Sequence, residues 1–158
     1  MRKIILISIV FIMASVKSFG QTAFEAGLRL GDQWGSEVAI DGTIPLGISP
    51  RLHPTLYLGD GGVGFASYFD WMFALDNGPS GLRFYPGVGP EMLIFNDFEL
   101  AVAGNFGVEY VFDFPLTVGF DWRPSWVFTG ISGNNFQAGL WGLTARYRFS
   151  DVRFRRVE

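Results

Sequence analysis

Large apolar residues take every second position over long stretches of this chain, and small, polar or charged residues fill the positions between them. The stretch Phe114 to Phe128, "FPLTVGFDWRPSWVF", shows the rule: Leu116, Val118, Phe120, Trp122, Trp126 and Phe128 alternate with Thr117, Gly119, Asp121, Arg123 and Ser125. A period of two predicts a β-strand with one apolar and one polar face. The same pattern predicts strands over about 22–30, 36–46, 51–58, 63–74, 81–92, 99–112 and 137–149. In the first, Phe24, Ala26, Leu28 and Leu30 oppose Glu25, Gly27 and Arg29; in the third, only Leu52, Leu56 and Leu58 mark a face. Turn-forming runs such as "GDQWGS" (31–36), "PLGISP" (45–50), "GDGG" (59–62) and "DNGPS" (76–80) separate them. Eight short strands at this spacing predict an all-β sandwich or barrel.

Size and charge decide which face lies inside. The apolar face carries rows of phenylalanine and tryptophan, too bulky for the interior of a small eight-stranded barrel. The polar face mixes Gly27, Ala39, Ala66, Ala101, Ala103 and Gly119 with charges, a set that fits a narrow interior. Were the charges to face lipid, each arginine would cost ~2–4 kcal/mol at the bilayer midplane. Repeated along the chain, that penalty exceeds a domain's whole stability of ~5–15 kcal/mol. The expectation is therefore an eight-stranded antiparallel transmembrane β-barrel, polar inside and apolar outside. Phe69, Trp71, Phe73, Phe120, Trp122, Trp126, Phe128 and Trp141 form its lipid-facing band and interfacial girdle. Strands of about 9–11 residues suffice to span, and an even strand count puts both termini in the periplasm. Pro86 and Pro90 in "YPGVGP" conflict with a central strand, so 86–90 reads either as a bulged strand or as a loop.

Residues 1–20 have a basic start, an apolar run from Ile4 to Ala14 and the small-x-small ending Ser18-Phe19-Gly20. They read as a secretory signal peptide cut before Gln21, leaving a barrel over 21–149 and a basic periplasmic tail over 150–158. The chain has no cysteine, so export is inferred from the leader alone. Beyond the leader, nine arginines and no lysine face 15 acids, a net charge of −6 that argues against nucleic acid as a partner. Arginine is the cation suited to bidentate carboxylate pairing in confined places.

The last strand, "GLWGLTARYRF", alternates through Trp141, Leu143, Ala145 and Tyr147 and ends on Phe149. This resembles the C-terminal signal, here Tyr147 and Phe149, by which bacterial outer-membrane barrels are recognised for insertion. As a whole, 21–149 resembles small eight-stranded barrels of the OmpA/OmpX type. The resemblance implies residence in the bacterial outer membrane as a monomer, contact with its lipids and lipopolysaccharide, and insertion by the barrel assembly machinery. Nine residues follow Phe149, where the signal usually ends the chain, and no peptidoglycan-binding domain follows, so a wall-tethering role is not implied.

The candidate lumen charges are the acids Glu25, Glu37, Asp41, Asp70, Glu91, Glu109 and Asp121 and the bases Arg29, Arg83, Arg123, Arg146 and Arg148. They could line a narrow pore or pair into a plug; the small bore of eight strands favours the plug. The chain's one histidine, His53, suggests a lipid-modifying enzyme only if it reaches the outer leaflet. Its place near the periplasmic start of the third strand predicts an interfacial polar residue instead. No second ligand lies nearby at metal spacing, and "GDGGVG" (59–64) lacks the lysine and helix of a phosphate loop. The expected role is non-enzymatic and without cofactor, in envelope integrity or surface contact. A narrow ion or small-solute channel and a membrane lipid-modifying enzyme are the alternatives.

Overall fold

The computed structural model describes residues 23–59, 62–74, 79–94, 98–129 and 135–149. The leader and the tail beyond Phe149 lie outside the described residues, while the expected insertion signal, Tyr147 and Phe149, closes the last strand. Eleven strands and, among the described residues, no helix make up the fold: β1 Phe24–Gln33, β2 Ser36–Pro45, β3 Pro50–Gly59, β4 Gly62–Trp71, β5 Phe73–Ala74, β6 Leu82–Ile94, β7 Phe98–Val111, β8 Leu116–Trp122, β9 Ser125–Val127, β10 Asn135–Gln137 and β11 Trp141–Phe149. Three pairs, β4 with β5, β8 with β9 and β10 with β11, are single staves interrupted by a few residues, so the wall has eight staves. Every pairing is antiparallel, and β1 pairs with β11 from Phe24↔Phe149 to Leu30↔Leu143, which joins the first stave to the last and closes the barrel. Closure leaves no full-length edge strand for another chain to extend.

The sidedness is inverted relative to a water-soluble core. Among the described residues, thirty-one large apolar side chains are exposed, whereas the buried hydrophobic ones are four alanines, three tyrosines, two leucines and one valine. Rings on the outside meet along and across staves: Trp122 stacks on Trp141 at 5.5 Å between centroids, Trp141 on Phe120 at 5.4 Å, and Phe69 meets Trp71 edge-on at 4.7 Å.

The prolines explain the interruptions. Residues 86–90 are strand, not loop: β6 runs unbroken from Leu82 to Ile94 and pairs with β7 at all thirteen positions. On its other side, β6 pairs with β4 and β5 in one register that skips the positions opposite Pro86 and Pro90. In that register Pro90 falls opposite Ser67 and Pro86 opposite Trp71, where β4 ends. Pro54 likewise falls opposite Gly42, in the gap of the β2–β3 ladder between Asp41↔Thr55 and Ile44↔Leu52. Pro124 marks the break between β8 and β9. A proline has no N–H to give, so Pro54, Pro86 and Pro90 each cost a rung on one side while the other side stays laddered, and Pro124 interrupts the ladder on both sides.

At the end remote from the termini, Trp34 and Gly35 form the two-residue β1–β2 turn with φ of 57° and 75°. Two consecutive positive φ values are those of a type I′ turn, which matches the twist of a hairpin. Trp34 there packs on the inward cluster of Tyr57, Tyr68, Leu93 and three alanines. The β1–β2 register also shifts between Leu30 and Gln33, and Glu37 and Val38 are both exposed across the bulge. Near the seam between first and last staves the backbones approach closely: a Cβ on Gly27 would strike the Ala145 carbonyl and lie 2.6 Å from the Arg146 Cα. Gly27→Val is expected to destabilise the barrel by ~1–3 kcal/mol through overpacking. Gly139→Ala, with nothing within 4 Å of the added carbon, is expected to stay within ~0.5 kcal/mol. Urea unfolding of both variants refolded in detergent measures the difference.

Candidate functional site

The inward positions of the staves converge on one ion-paired network. The third stave starts it. Its inward residues are Arg51, His53, Thr55 and Tyr57, all buried, because Leu52, Leu56 and Leu58 take the alternate face. His53 lies in the middle of the lumen, with Nδ1 2.7 Å from Asp70 Oδ2 and Nε2 2.9 Å from Asp41 Oδ1. Both ring nitrogens thus face carboxylates, and Asn105 Nδ2 and Arg123 Nη2 also approach them, at 3.0 Å from Nδ1 and 3.3 Å from Nε2. This overturns the expectation of an interfacial histidine: strand parity turns the ring inward, and its partners come from β2 and β4.

From Asp70 the contacts continue to Arg51 Nε at 3.0 Å, from Arg51 Nη1 to Glu109 at 2.9 Å, from Glu109 to Arg146 Nη2, and from Arg146 Nη1 back to Asp41 at 2.9 Å. Asp41, His53, Asp70, Arg51, Glu109 and Arg146 therefore form a closed ring of three acids alternating with three basic side chains. The ring draws on β2, β3, β4, β7 and β11, and its link from Arg51 to Glu109 crosses the lumen. Asp41 is the hub, also accepting from Arg123 Nη2 at 3.0 Å and Thr55 Oγ1 at 2.8 Å. Arg123 carries the network to Asp121, 2.9 Å away, and Asp121 to Arg29 at 2.8 Å. Arg146 Nε adds Glu25 at 3.0 Å.

Glu91 sits apart, towards the Trp34 end. It accepts from the Tyr68 hydroxyl, from Ser125 Oγ at 2.7 Å and from Trp34 Nε1 at 3.3 Å. Leu93, Val127 and Leu140 are buried as well. On the opposite, terminus-bearing side of the ring the lumen widens into a cavity of about 440 Å³, lined among others by Glu25, Arg51, Met72, Arg83, Glu109 and Arg148.

Of the charges singled out in the sequence, Glu25, Arg29, Asp41, Asp70, Glu91, Glu109, Asp121, Arg123 and Arg146 are buried in the lumen. Three lie elsewhere. Glu37 is exposed because the β1–β2 bulge breaks the alternation there. Arg83 shares the face and the level of its cross-strand partner Glu109 but stands exposed at the mouth, whereas Glu109 is drawn into the ring by Arg51 and Arg146. Arg148 is half-buried at the same rim, where Nη2 donates to the Phe114 carbonyl at 2.7 Å and to that of Phe112. Arg51, absent from the sequence-based set, supplies two links of the ring; its position opposite Leu52 was the signal for it. Tyr57, Tyr68 and Tyr85 are also fully buried, with the Arg51 guanidinium 4.4 Å over the Tyr85 ring. The eight aromatics of the expected girdle are on the outer face, Trp122 half-buried and the others exposed.

Chemically, the arrangement fills space and neutralises charge. Among the described residues, His53 has no serine or cysteine on it, and no group of three or more histidine, cysteine, aspartate or glutamate side chains is placed to hold a metal ion. No family model, curated protein or solved structure matches the chain. Arg146→Leu leaves Glu25, Asp41 and Glu109 each short of a partner and is expected to cost ~3–5 kcal/mol, the penalty for breaking a buried pair from one side. Arg83→Leu, outside the network, is expected to stay within ~0.5 kcal/mol. Equilibrium unfolding of the two variants beside the parent distinguishes a cooperative network from a set of independent surface pairs.

Proposed function

We propose that this chain is a small integral barrel of the bacterial outer membrane, of the OmpA/OmpX type, whose lumen is plugged and whose role is non-enzymatic: envelope integrity, or contact with lipopolysaccharide and other surface partners. The observation that carries the reading is the inverted sidedness. A closed wall whose outer face carries most of the thirty-one exposed large apolar side chains, around a charged interior, matches hydrocarbon outside, and closed barrels are one of the two structures that satisfy the backbone in a bilayer. Aromatic side chains such as Trp71 and Phe73 towards the terminus-bearing end, and Trp126 and Phe136 towards the other, supply material for two interfacial girdles.

The plug favours this reading over a channel. Ions crossing the lumen would have to part the ring between Arg51 and Glu109, and the Glu91 cluster under Trp34 stands beyond it. An enzymatic reading gains nothing from His53, whose two ring nitrogens are both occupied by carboxylates. The role of the wall would then be mechanical and adhesive, exercised through its rims and its lipid contacts. The barrel assembly machinery would insert it as a monomer.

Leu28 lies midway along β1 on the outer face. Leu28→Arg is expected to cost ~2–4 kcal/mol in a protein refolded into phosphatidylcholine vesicles. A barrel that lives in water would tolerate it within ~0.5 kcal/mol and would dissolve without detergent, which would sink the membrane reading. In planar bilayers the folded protein, verified by the gel shift between boiled and unboiled samples, is expected to show no steady openings. Discrete conductance would replace the plug with the channel.

A further inference from the structure

The cavity on the terminus-bearing side combines cations with spare donors and acids that already accept three hydrogen bonds each. Arg51 spends Nε on Asp70 and Nη1 on both oxygens of Glu109, yet its Nη2, in a side chain only 7% exposed, has no acceptor. Arg148 gives Nη2 to two carbonyls, and its buried Nε has none. Arg83 stands exposed at the rim with no acidic side chain on it among the described residues. The acids of the same wall are already neutralised by bound cations: Glu25 accepts from Thr43, Thr117 and Arg146, and Glu109 from Arg51 and Arg146. A cation entering here meets carboxylates already taken, whereas an anion meets unfilled guanidinium donors. Buried donors are rarely left unpaired, and charge-assisted bonds from guanidinium to carboxylate or phosphate are among the stronger ones.

The rest of the lining sets the ligand's other half. Ile48, Met72 and Val111 give the cavity an apolar side, and its volume of about 440 Å³ lies within the ~300–1,000 Å³ of small-molecule sites, well above the needs of a bare ion. From this geometry we infer that the cavity is a binding site for a small organic anion, with a carboxylate or phosphate group on Arg51 and Arg148, Arg83 guarding the entrance and a short apolar body against Met72 and Val111. The site goes beyond the structural role proposed for the wall and does not depend on it: a cup open at one end and closed by the ring behind it can hold a ligand in detergent or in lipid. A free solute and the headgroup of an anionic lipid reaching round the rim are the two sources of such an anion, and the chemistry of recognition is common to both.

Arg51 also holds Asp70 and Glu109, so its replacement risks the fold; Arg83→Gln and Arg148→Gln carry the test. Butyl phosphate, butyrate and butylammonium are titrated calorimetrically into protein refolded in a non-ionic detergent, with the gel shift confirming folding of each variant. The expected result is saturable binding of butyl phosphate or butyrate, no binding of butylammonium, and affinity lowered about tenfold by each substitution, as the loss of one charge-assisted bond implies. In a second arm, native mass spectrometry compares retention of phosphatidylglycerol and phosphatidylcholine. Preferential retention of the anionic lipid, reduced by the same substitutions, with no binding of the free anions, assigns the site to headgroups. The inference is overturned if the folded protein takes up neither free anions nor anionic lipid, if butylammonium binds as well, or if neither substitution weakens binding.

Discussion

Six acids and four arginines stand in a lumen barely wider than their own side chains, and each charge is tolerable there only because another neutralises it. A buried carboxylate without a partner is expensive, while a buried pair with its hydrogen bonds complete is close to break-even. The structure meets that condition by sharing. Asp41 serves His53, Arg123 and Arg146 at once, and Arg146 in turn serves Glu25, Asp41 and Glu109. The wall obeys the same demand: small residues such as Ala39, Ala101 and Ala103 fill inward positions around the large side chains, so that arginines and tyrosines can cross the bore.

The ring also explains why a barrel of this size need not conduct. Water-filled pores need more staves than eight or a lining held back against the wall. Here the long side chains reach across instead, and Arg51 of the third stave meets Glu109 of β7 on the far side. The two ends of the lumen differ in consequence. One is closed by apolar side chains and by Trp34 folded over Glu91; the other opens into a cavity rimmed by arginine.

Much of this was legible in the chain, and the failures have definite causes. Alternation identifies the staves and the inward turn of Asp121 and Arg123, because period two fixes the face of every side chain in a regular strand. It fails at Glu37, where a bulge puts two successive residues on one side. It is silent on which charges pair, so Arg83 and Glu109, opposite each other in the ladder, look equivalent although one is exposed and the other is bound in the ring. The third stave, with Pro50 at its start and Pro54 within it, shows too few apolar residues for its face to be read with ease, and Arg51 and His53 were hidden with it. The prolines of β6 left a bulged strand and a loop both open, because a sequence cannot show that a strand loses rungs on one side and keeps all thirteen on the other.

The closed ring has a kinetic consequence. Its last member, Arg146, lies 105 residues from Asp41 and 37 from Glu109, and it reaches Glu25 across a separation of 121. Until the final stave docks on the first, three carboxylates lack their shared guanidinium and the wall has two raw edges. Partly zipped barrels are therefore poor intermediates, and assembly waits on a contact between the two ends of the chain, the kind of long-range closure that slows folding. The same feature works in reverse once the seam has formed. No stave can peel away without stranding charge in a confined space, so the barrel comes apart all at once or not at all, and its endurance is set by the height of that single barrier.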